Sequence, residues 1–79
     1  MRVKVKLLAT LARFSSVAQP GAPFEMNLPD PATVQDLVDQ LGIPSEEIKI
    51  SFVNGLIHGL DWVLQQGDEV GIFPPIGGG

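Results

Sequence analysis

The chain lacks cysteine altogether, so its 79 residues can form neither a disulfide nor a thiolate metal site. Histidine is nearly absent as well. His58 is alone, and without a second ligand at metal-binding spacing we expect it to be a surface turn residue. No apolar run approaches the length of a membrane span, and the N-terminus alternates charge with valine instead of showing a signal-peptide core. These absences predict one small cytoplasmic domain that is stabilised by packing alone.

Positive charge is missing from the C-terminal part of the sequence. The net charge is −4, and every charged residue after position 50 is acidic. All five cations come earlier: Arg2, Lys4, Lys6, Arg13 and Lys49. Because no basic stripe with interleaved aromatic residues exists, nucleic-acid binding is disfavoured. An acidic domain of this size suits docking on a basic protein surface.

Catalytic signatures are absent too. The sequence shows no nucleophile–base pair, no cluster of metal ligands and no phosphate-binding glycine loop. Asp68 and Glu69 are adjacent carboxylates, but they follow a Gln-Gly turn and are more typical of a solvated strand entry. A stand-alone enzyme is therefore disfavoured.

Alternating and helical patterns predict most of the secondary structure. Residues 2–8 and 24–28 alternate as two strands of a hairpin, with an irregular connection that contains a turn or one loose helical turn. Thr33 is a good N-cap for a helix with an apolar stripe, which Gly42 ends. Residues 48–53 predict a third strand, followed by a short return strand after the Asn54-Gly55 turn. Residues 69–73 predict the last strand.

This order of elements predicts an α+β fold in which a mixed sheet packs on one main helix. If the first and last strands pair in parallel at the middle of the sheet, the C-terminus leaves the domain as a free tail. We therefore expect a domain over residues 1–75 and a flexible glycine tail over residues 76–79.

The C-terminus has the most informative sequence, Phe73-Pro74-Pro75-Ile76-Gly77-Gly78-Gly79. Glycine has no Cβ, so three in a row form a thread that is thin enough for a narrow tunnel. The prolines stop the preceding strand and stiffen the exit from the domain. At roughly 3.3 Å per extended residue, the six positions from Pro74 carry the carboxylate of Gly79 about 20 Å outward. The terminal carboxylate is therefore the predicted reactive group.

The last sixteen residues, together with the ββαββ order, resemble the MoaD/ThiS-like sulfur carriers, which are ubiquitin-like β-grasp proteins. The pattern runs from Leu64 through Gly67-Asp68-Glu69-Val70 to the terminal Gly78-Gly79. The Pro74-Pro75 pair is more similar to MoaD, the small subunit of molybdopterin synthase, than to ThiS. Gly77 falls on a position that varies in the family, so the spacing to the diglycine is kept.

The resemblance implies a function for the tail. An E1-like enzyme of the MoeB/ThiF type would adenylate Gly79 with ATP and magnesium, and a sulfur donor would then leave a thiocarboxylate. The chain would bind no cofactor and act as a co-substrate, delivering sulfur to an enzyme such as the molybdopterin synthase large subunit. Residues 74–78 would enter the partner's tunnel: Pro74, Pro75, Ile76, Gly77 and Gly78.

Phe52 and Phe73 are candidate docking residues, because a sheet covered by one helix leaves its other face open. An aromatic side chain there, rimmed by Lys4, Lys6 or Lys49, would mark a docking surface. Strand parity alone does not decide whether Phe73 or its neighbours Val70 and Ile72 face outward, and we favour Phe73. Trp62 is expected to be partly buried in the core.

Three alternatives remain at this stage. The sulfur could serve thiamin thiazole or another biosynthetic pathway, the chain could be conjugated to lysines as a protein modifier, or it could be a ubiquitin-like binding module whose tail is never activated. We expect a monomer when the chain is free.

Overall fold

The computed structural model describes residues 1–16 and 18–75. These residues form a five-stranded sheet and one α-helix, with two short 3-10 helices in the connections. The elements are β1 Arg2–Leu7, β2 Phe24–Asn27, α1 Val34–Leu41, β3 Ile50–Val53, β4 Leu56–Ile57 and β5 Glu69–Phe73. The 3-10 helices span Ala9–Phe14 and Ser45–Glu47.

The strand order in the sheet is β2-β1-β5-β3-β4. The first and last strands, β1 and β5, pair in parallel at the centre, and the other neighbouring pairs are antiparallel. The predicted mixed sheet is thus confirmed. Because β5 has a hydrogen-bonded neighbour on each side, the strand that leads into the C-terminus is held at the middle of the domain.

The two faces of the sheet differ sharply, as the alternation in β1 predicts. Val3, Val5 and Leu7 are buried, whereas the intervening Arg2, Lys4 and Lys6 are exposed. In register, Val5 lies beside Val70, and Lys6 lies beside Gly71. The buried face packs on α1, and we call the other side the open face; it carries Lys4, Lys6, Phe52, Gly71 and Phe73.

Helix α1 begins and ends where the sequence predicts. The Thr33 hydroxyl accepts a hydrogen bond from the Asp36 amide at 3.2 Å, and the Asp36 carboxylate accepts one from the Thr33 amide at 2.8 Å. Gly42 ends the helix in the left-handed region at φ 76°, where glycine carries no steric cost. Within the described part of the chain, no helix is long and apolar enough to cross a membrane.

The apolar stripe of α1 joins the buried sheet face in one core. Val34, Leu37 and Val38 are fully buried there, and Leu41 packs at the margin. Burying such side chains contributes on the order of 1.5–3 kcal/mol each, so the helix is stabilised mainly by this contact. Among the described residues, no helix covers the open face.

Two expectations about local structure need correction. The third strand begins at Ile50 and not at residue 48, because Ile48 donates its amide to the Ser45 carbonyl and so closes the second 3-10 helix. The connection after β1 is a 3-10 helix of six residues, longer than the single turn expected. Leu11 from this helix is fully buried, which explains why the segment is ordered.

Candidate functional site

The root of the tail, which we define as Phe73, Pro74 and Pro75, continues directly from the central strand. The side chains of Val70 and Ile72 anchor β5 in the core, and the Phe73 carbonyl accepts a hydrogen bond from the Lys49 amide at 2.8 Å. Pro74 is still buried, and Pro75 is exposed. Because proline has no amide hydrogen, neither residue can donate to the ladder, and pairing ends here. The chain therefore leaves the domain from a fixed point.

The other residues of the expected tunnel segment, Ile76, Gly77 and Gly78, lie outside the described residues, as does Gly79. The domain boundary at residue 75 and the role of the terminal carboxylate remain predictions.

Two aromatic side chains lie together on the open face at the tail root, and one of them belongs to the root itself. The rings of Phe52 and Phe73 lie 5.3 Å apart between centroids, at 66° to each other, in the edge-to-face arrangement that aromatic pairs favour. Both side chains are only partly buried. Phe73 faces outward, whereas Val70 and Ile72 are buried, so the predicted orientation of Phe73 is confirmed. Its role in docking stays a prediction.

A groove of about 500 Å³ runs across the open face beside these rings. Phe52 and Phe73 form one side, and Lys4 and Lys6 from β1 line it as well. Residues from the loop after β1 contribute at one end, namely Leu8, Gly21 and Pro23. Glu69, which lies beside Lys4 in register, also lines the groove. The groove thus combines apolar walls with two lysines and one carboxylate, which suits an apolar side chain with charged neighbours.

Gly71 forms part of this groove, and it was not among the predicted docking residues. It lies in the middle of β5, between Lys6 on β1 and Phe52 on β3. A Cβ built at this position would come within 4.0 Å of the Phe52 Cβ. The available signal was a glycine inside a strand, which often marks a site of close approach by another chain.

His58 and Trp62 lie away from the open face. Their rings stack at a centroid distance of 3.6 Å with an angle of 15°. Trp62 is 43% exposed, so the expectation that it is part of the core is wrong. It lies in the irregular segment before β5, which runs beside the start of α1: the Val34 amide donates a hydrogen bond to the Trp62 carbonyl at 3.0 Å. No group of side chains in the described part of the chain could hold a metal ion.

The sequence matches the model of the ThiS family over residues 5–79. The chain belongs to the ThiS family. Members of this family are small ubiquitin-like sulfur carriers or modifiers, and they are not catalysts themselves. No curated protein matches the sequence.

Solved structures agree with membership of the ThiS family. SAMP1 from Haloferax volcanii is 25% identical, with full coverage of both chains and a TM-score of 0.73. A putative molybdopterin converting factor subunit 1 from Pyrococcus furiosus is 29% identical, covering 96% of this chain and 99% of that chain, with a TM-score of 0.72. The fold is therefore the ubiquitin-like β-grasp.

A third structure shares the fold at 19% identity and a TM-score of 0.60, with full coverage of both chains. It is a complex of subunits 1 and 2 of the molybdopterin-converting factor from Helicobacter pylori. In that complex, subunit 1 is bound to subunit 2.

Proposed function

We propose that this ThiS family protein carries sulfur as a thiocarboxylate on Gly79. A carboxylate is a poor acyl donor until one of its oxygens belongs to a good leaving group. The Gly79 carboxylate would attack the α-phosphorus of ATP in a magnesium-dependent adenylating enzyme, forming an acyl-adenylate and releasing pyrophosphate. Sulfide would then add to the acyl carbon and expel AMP, which leaves one sulfur in place of one oxygen. ATP and magnesium would be used by the partner, and the carrier would bind no cofactor.

The observation that carries the proposal is the position of the tail root at the end of the central strand. β5 is fixed by hydrogen bonds on both sides and by two buried side chains, so the root is rigidly placed beside the open face. An acyl-adenylate hydrolyses readily, and it must form in a site from which water is excluded. A narrow tail on a rigid base suits a reaction in such a closed site, because the domain can dock outside the site while the tail enters it.

We propose that the open face is the surface that docks. Phe52 and Phe73 would provide the apolar contact at the tail root, and Lys6, whose neighbour in β5 is Gly71, would pair with an acidic side chain of the partner. An E1-like adenylating enzyme and a sulfur-accepting enzyme would each use this face in turn, in the cytoplasm. The free carrier would be a monomer.

For the sulfur acceptor, we propose the large subunit of molybdopterin synthase, in the pathway to the molybdenum or tungsten cofactor. The similarity to the Pyrococcus furiosus protein supports this choice. Binding to that large subunit, compared with binding to a thiazole-forming enzyme of the same organism, would distinguish this pathway from the thiamin pathway.

A second candidate function is protein modification, which the full-length similarity to SAMP1 favours. The same acyl-adenylate would then be attacked by a lysine amine, giving an isopeptide and releasing AMP. The two functions share the activation step and differ in the nucleophile. Intact conjugates containing this chain, identified by mass spectrometry after incubation with ATP and host proteins, would support the modifier function.

The adenylation step can be tested by exchange of labelled pyrophosphate into ATP. With the adenylating enzyme of the same organism, the wild-type chain should support exchange, and a chain without Gly79 should not. A matched control, Glu46→Gln, changes an exposed residue of the second 3-10 helix and should leave exchange unchanged. Equal exchange with and without Gly79 would contradict the proposal and favour a binding module whose tail is not activated.

A further inference from the structure

Most of the exposed large apolar side chains lie together, beside β4 and the start of α1. Within the described residues, these are Leu56, Ile57, Trp62 and Val63, with 65%, 66%, 43% and 57% of their surface exposed. Exposed apolar residues are ordinary when they are scattered, but a contiguous group marks an interaction surface. None of the four belongs to the tail root.

Three of these residues line one cleft. Leu56, Trp62 and Val63 surround a cavity of about 210 Å³, together with His58. We call this site the edge cleft. Ile57 does not line it, although it is equally exposed: it pairs with Phe52 and therefore points to the open face, whereas Leu56 pairs with Val53 on the helix side. The edge cleft and the open face are thus on different sides of the sheet.

The edge cleft has a fixed negative charge at its rim. Asp68 lines the cleft, and its two carboxylate oxygens accept hydrogen bonds from the Asn54 side chain at 3.0 Å and the Gln65 amide at 2.8 Å. Neither ion pair of the described residues involves Asp68. Lys4 of β1 donates its amide to the Asp68 carbonyl at 2.9 Å, but its side chain lies on the open face beside Glu69, on the other side of the sheet from the cleft.

The Trp62 ring gives the edge cleft a second binding preference, in addition to the one set by the Asp68 carboxylate. His58 covers one face of Trp62, so the exposed area of the ring belongs to its other face and its edges. An arginine guanidinium binds well against an indole ring and also pairs with a carboxylate through directed hydrogen bonds. Leu56 and Val63 offer contact to an aliphatic side chain beside it.

We infer that the edge cleft binds a segment of a partner protein in which arginine alternates with aliphatic residues. The acidic rim argues against an anionic membrane surface, which would be repelled. It also argues against a second copy docked cleft to cleft, because the two Asp68 carboxylates would face each other. Since the cleft is on the other side of the sheet from the tail root, such a partner could stay bound while the open face is occupied.

The test uses the full chain and a defined probe, an acetylated peptide in which arginine and leucine alternate. Trp62 is the only tryptophan, so its fluorescence reports on the cleft directly. We expect a saturable change in fluorescence and amide NMR shifts confined to residues around the cleft. Leu56→Ser and Val63→Ser should each weaken binding by roughly tenfold, a size typical of truncating an apolar anchor. Raising the salt concentration should weaken binding as well.

The matched control is Ile57→Ser, which removes an equally exposed side chain from the same strand but outside the cleft. It should change the affinity by less than about twofold. Because all three replaced side chains are exposed, each variant should fold, which circular dichroism would verify.

Four results would overturn the inference: equal binding of a peptide with glutamate in place of arginine, shifts centred on Phe52 and Phe73, no binding of the peptide, or an equal loss with Ile57→Ser. Sedimentation of the chain with phosphatidylcholine vesicles, or a dimer in ultracentrifugation that Leu56→Ser dissolves, would assign the cleft to a membrane or to a second copy instead. A chain that fails in sulfur transfer but binds the peptide would leave this inference standing.

Discussion

Phe73 and Ile72 are adjacent in β5 and have opposite surroundings. Ile72 is fully buried in the core, whereas Phe73 lies on the open face against Phe52. Replacing Ile72 with alanine should lower the free energy of unfolding by about 2–5 kcal/mol, because it leaves a cavity. Phe73→Ala should cost less stability and instead weaken binding to the adenylating enzyme by roughly tenfold. Urea unfolding and calorimetric titration measure the two effects.

If Phe73→Ala lost as much stability as Ile72→Ala and bound the enzyme normally, Phe73 would belong to the core. The proposal that the open face docks would then lose its main apolar contact.

Gly71 allows a prediction in which stability and binding change in opposite directions. A methyl group at this position meets the Phe52 Cβ at 4.0 Å, an ordinary contact, and alanine in place of glycine restricts the unfolded chain. Gly71→Ala should therefore keep or raise stability, by up to about 1 kcal/mol, while filling part of the groove and weakening enzyme binding. Thermal unfolding and calorimetric titration of the same samples test both effects. Unchanged affinity would mean that the partner does not enter the groove.

At the scale of elements, α1 depends on its first turn. Thr33 and Asp36 satisfy each other's amides in a capping box, and α1 has only eight residues over which to form. Thr33→Ala should lower the free energy of unfolding by about 1 kcal/mol. Asp39→Ala, at an exposed position later in the helix, is the control and should cost less. Equal losses of unfolding free energy for the two variants would show that the capping box does not stabilise the helix beyond the effect of an exposed side chain.

The elements also differ in how far the sequence could predict them. α1 was fully specified, because a cap, an apolar stripe and a terminating glycine all agree on its bounds. The start of β3 was missed, since Ile48 fits both a strand pattern and the end of a 3-10 helix. Only the amide that it donates to Ser45 decides between them.

The candidate site was also predictable only in part. The tail was recognisable from its composition. Alternation in β5 allowed either Phe73 or its neighbours to face outward, and the observed register of β5 with β3 decides for Phe73. The open face with Phe52 and Phe73 was predicted, but the groove was not, because only the observed strand order brings Gly71, Phe52 and the lysines together. The exposure of Trp62 likewise depends on the course of the irregular segment that carries it, which runs beside the start of α1.

At the scale of the whole molecule, the residues that stabilise the domain are separate from the surfaces that we propose to bind partners. The core holds β5 at the centre of the sheet, the open face lies beside the tail root, and the edge cleft lies on the other side. This arrangement would let one small domain dock, present its C-terminus and contact a further partner without changing shape. The proposed carrier function needs no catalytic residue in the domain, which fits a family whose members are not catalysts.

The tail should accordingly matter for function and not for stability. Gly79→Ala, or a tag fused after Gly79, should leave the unfolding midpoint unchanged, because neither change alters a residue of the described core. The same changes should abolish sulfur loading, since the acyl carbon would be displaced or blocked in a narrow site. A tagged chain with normal loading would contradict this prediction.

The most direct test of the central claim is the intact mass of the untagged chain after incubation with its adenylating enzyme, ATP, magnesium and sulfide. We predict the mass change that corresponds to replacing one terminal oxygen with sulfur, and its absence when ATP is omitted or Gly79 is removed. An unchanged mass in the presence of an enzyme shown to be active on another carrier would contradict the account.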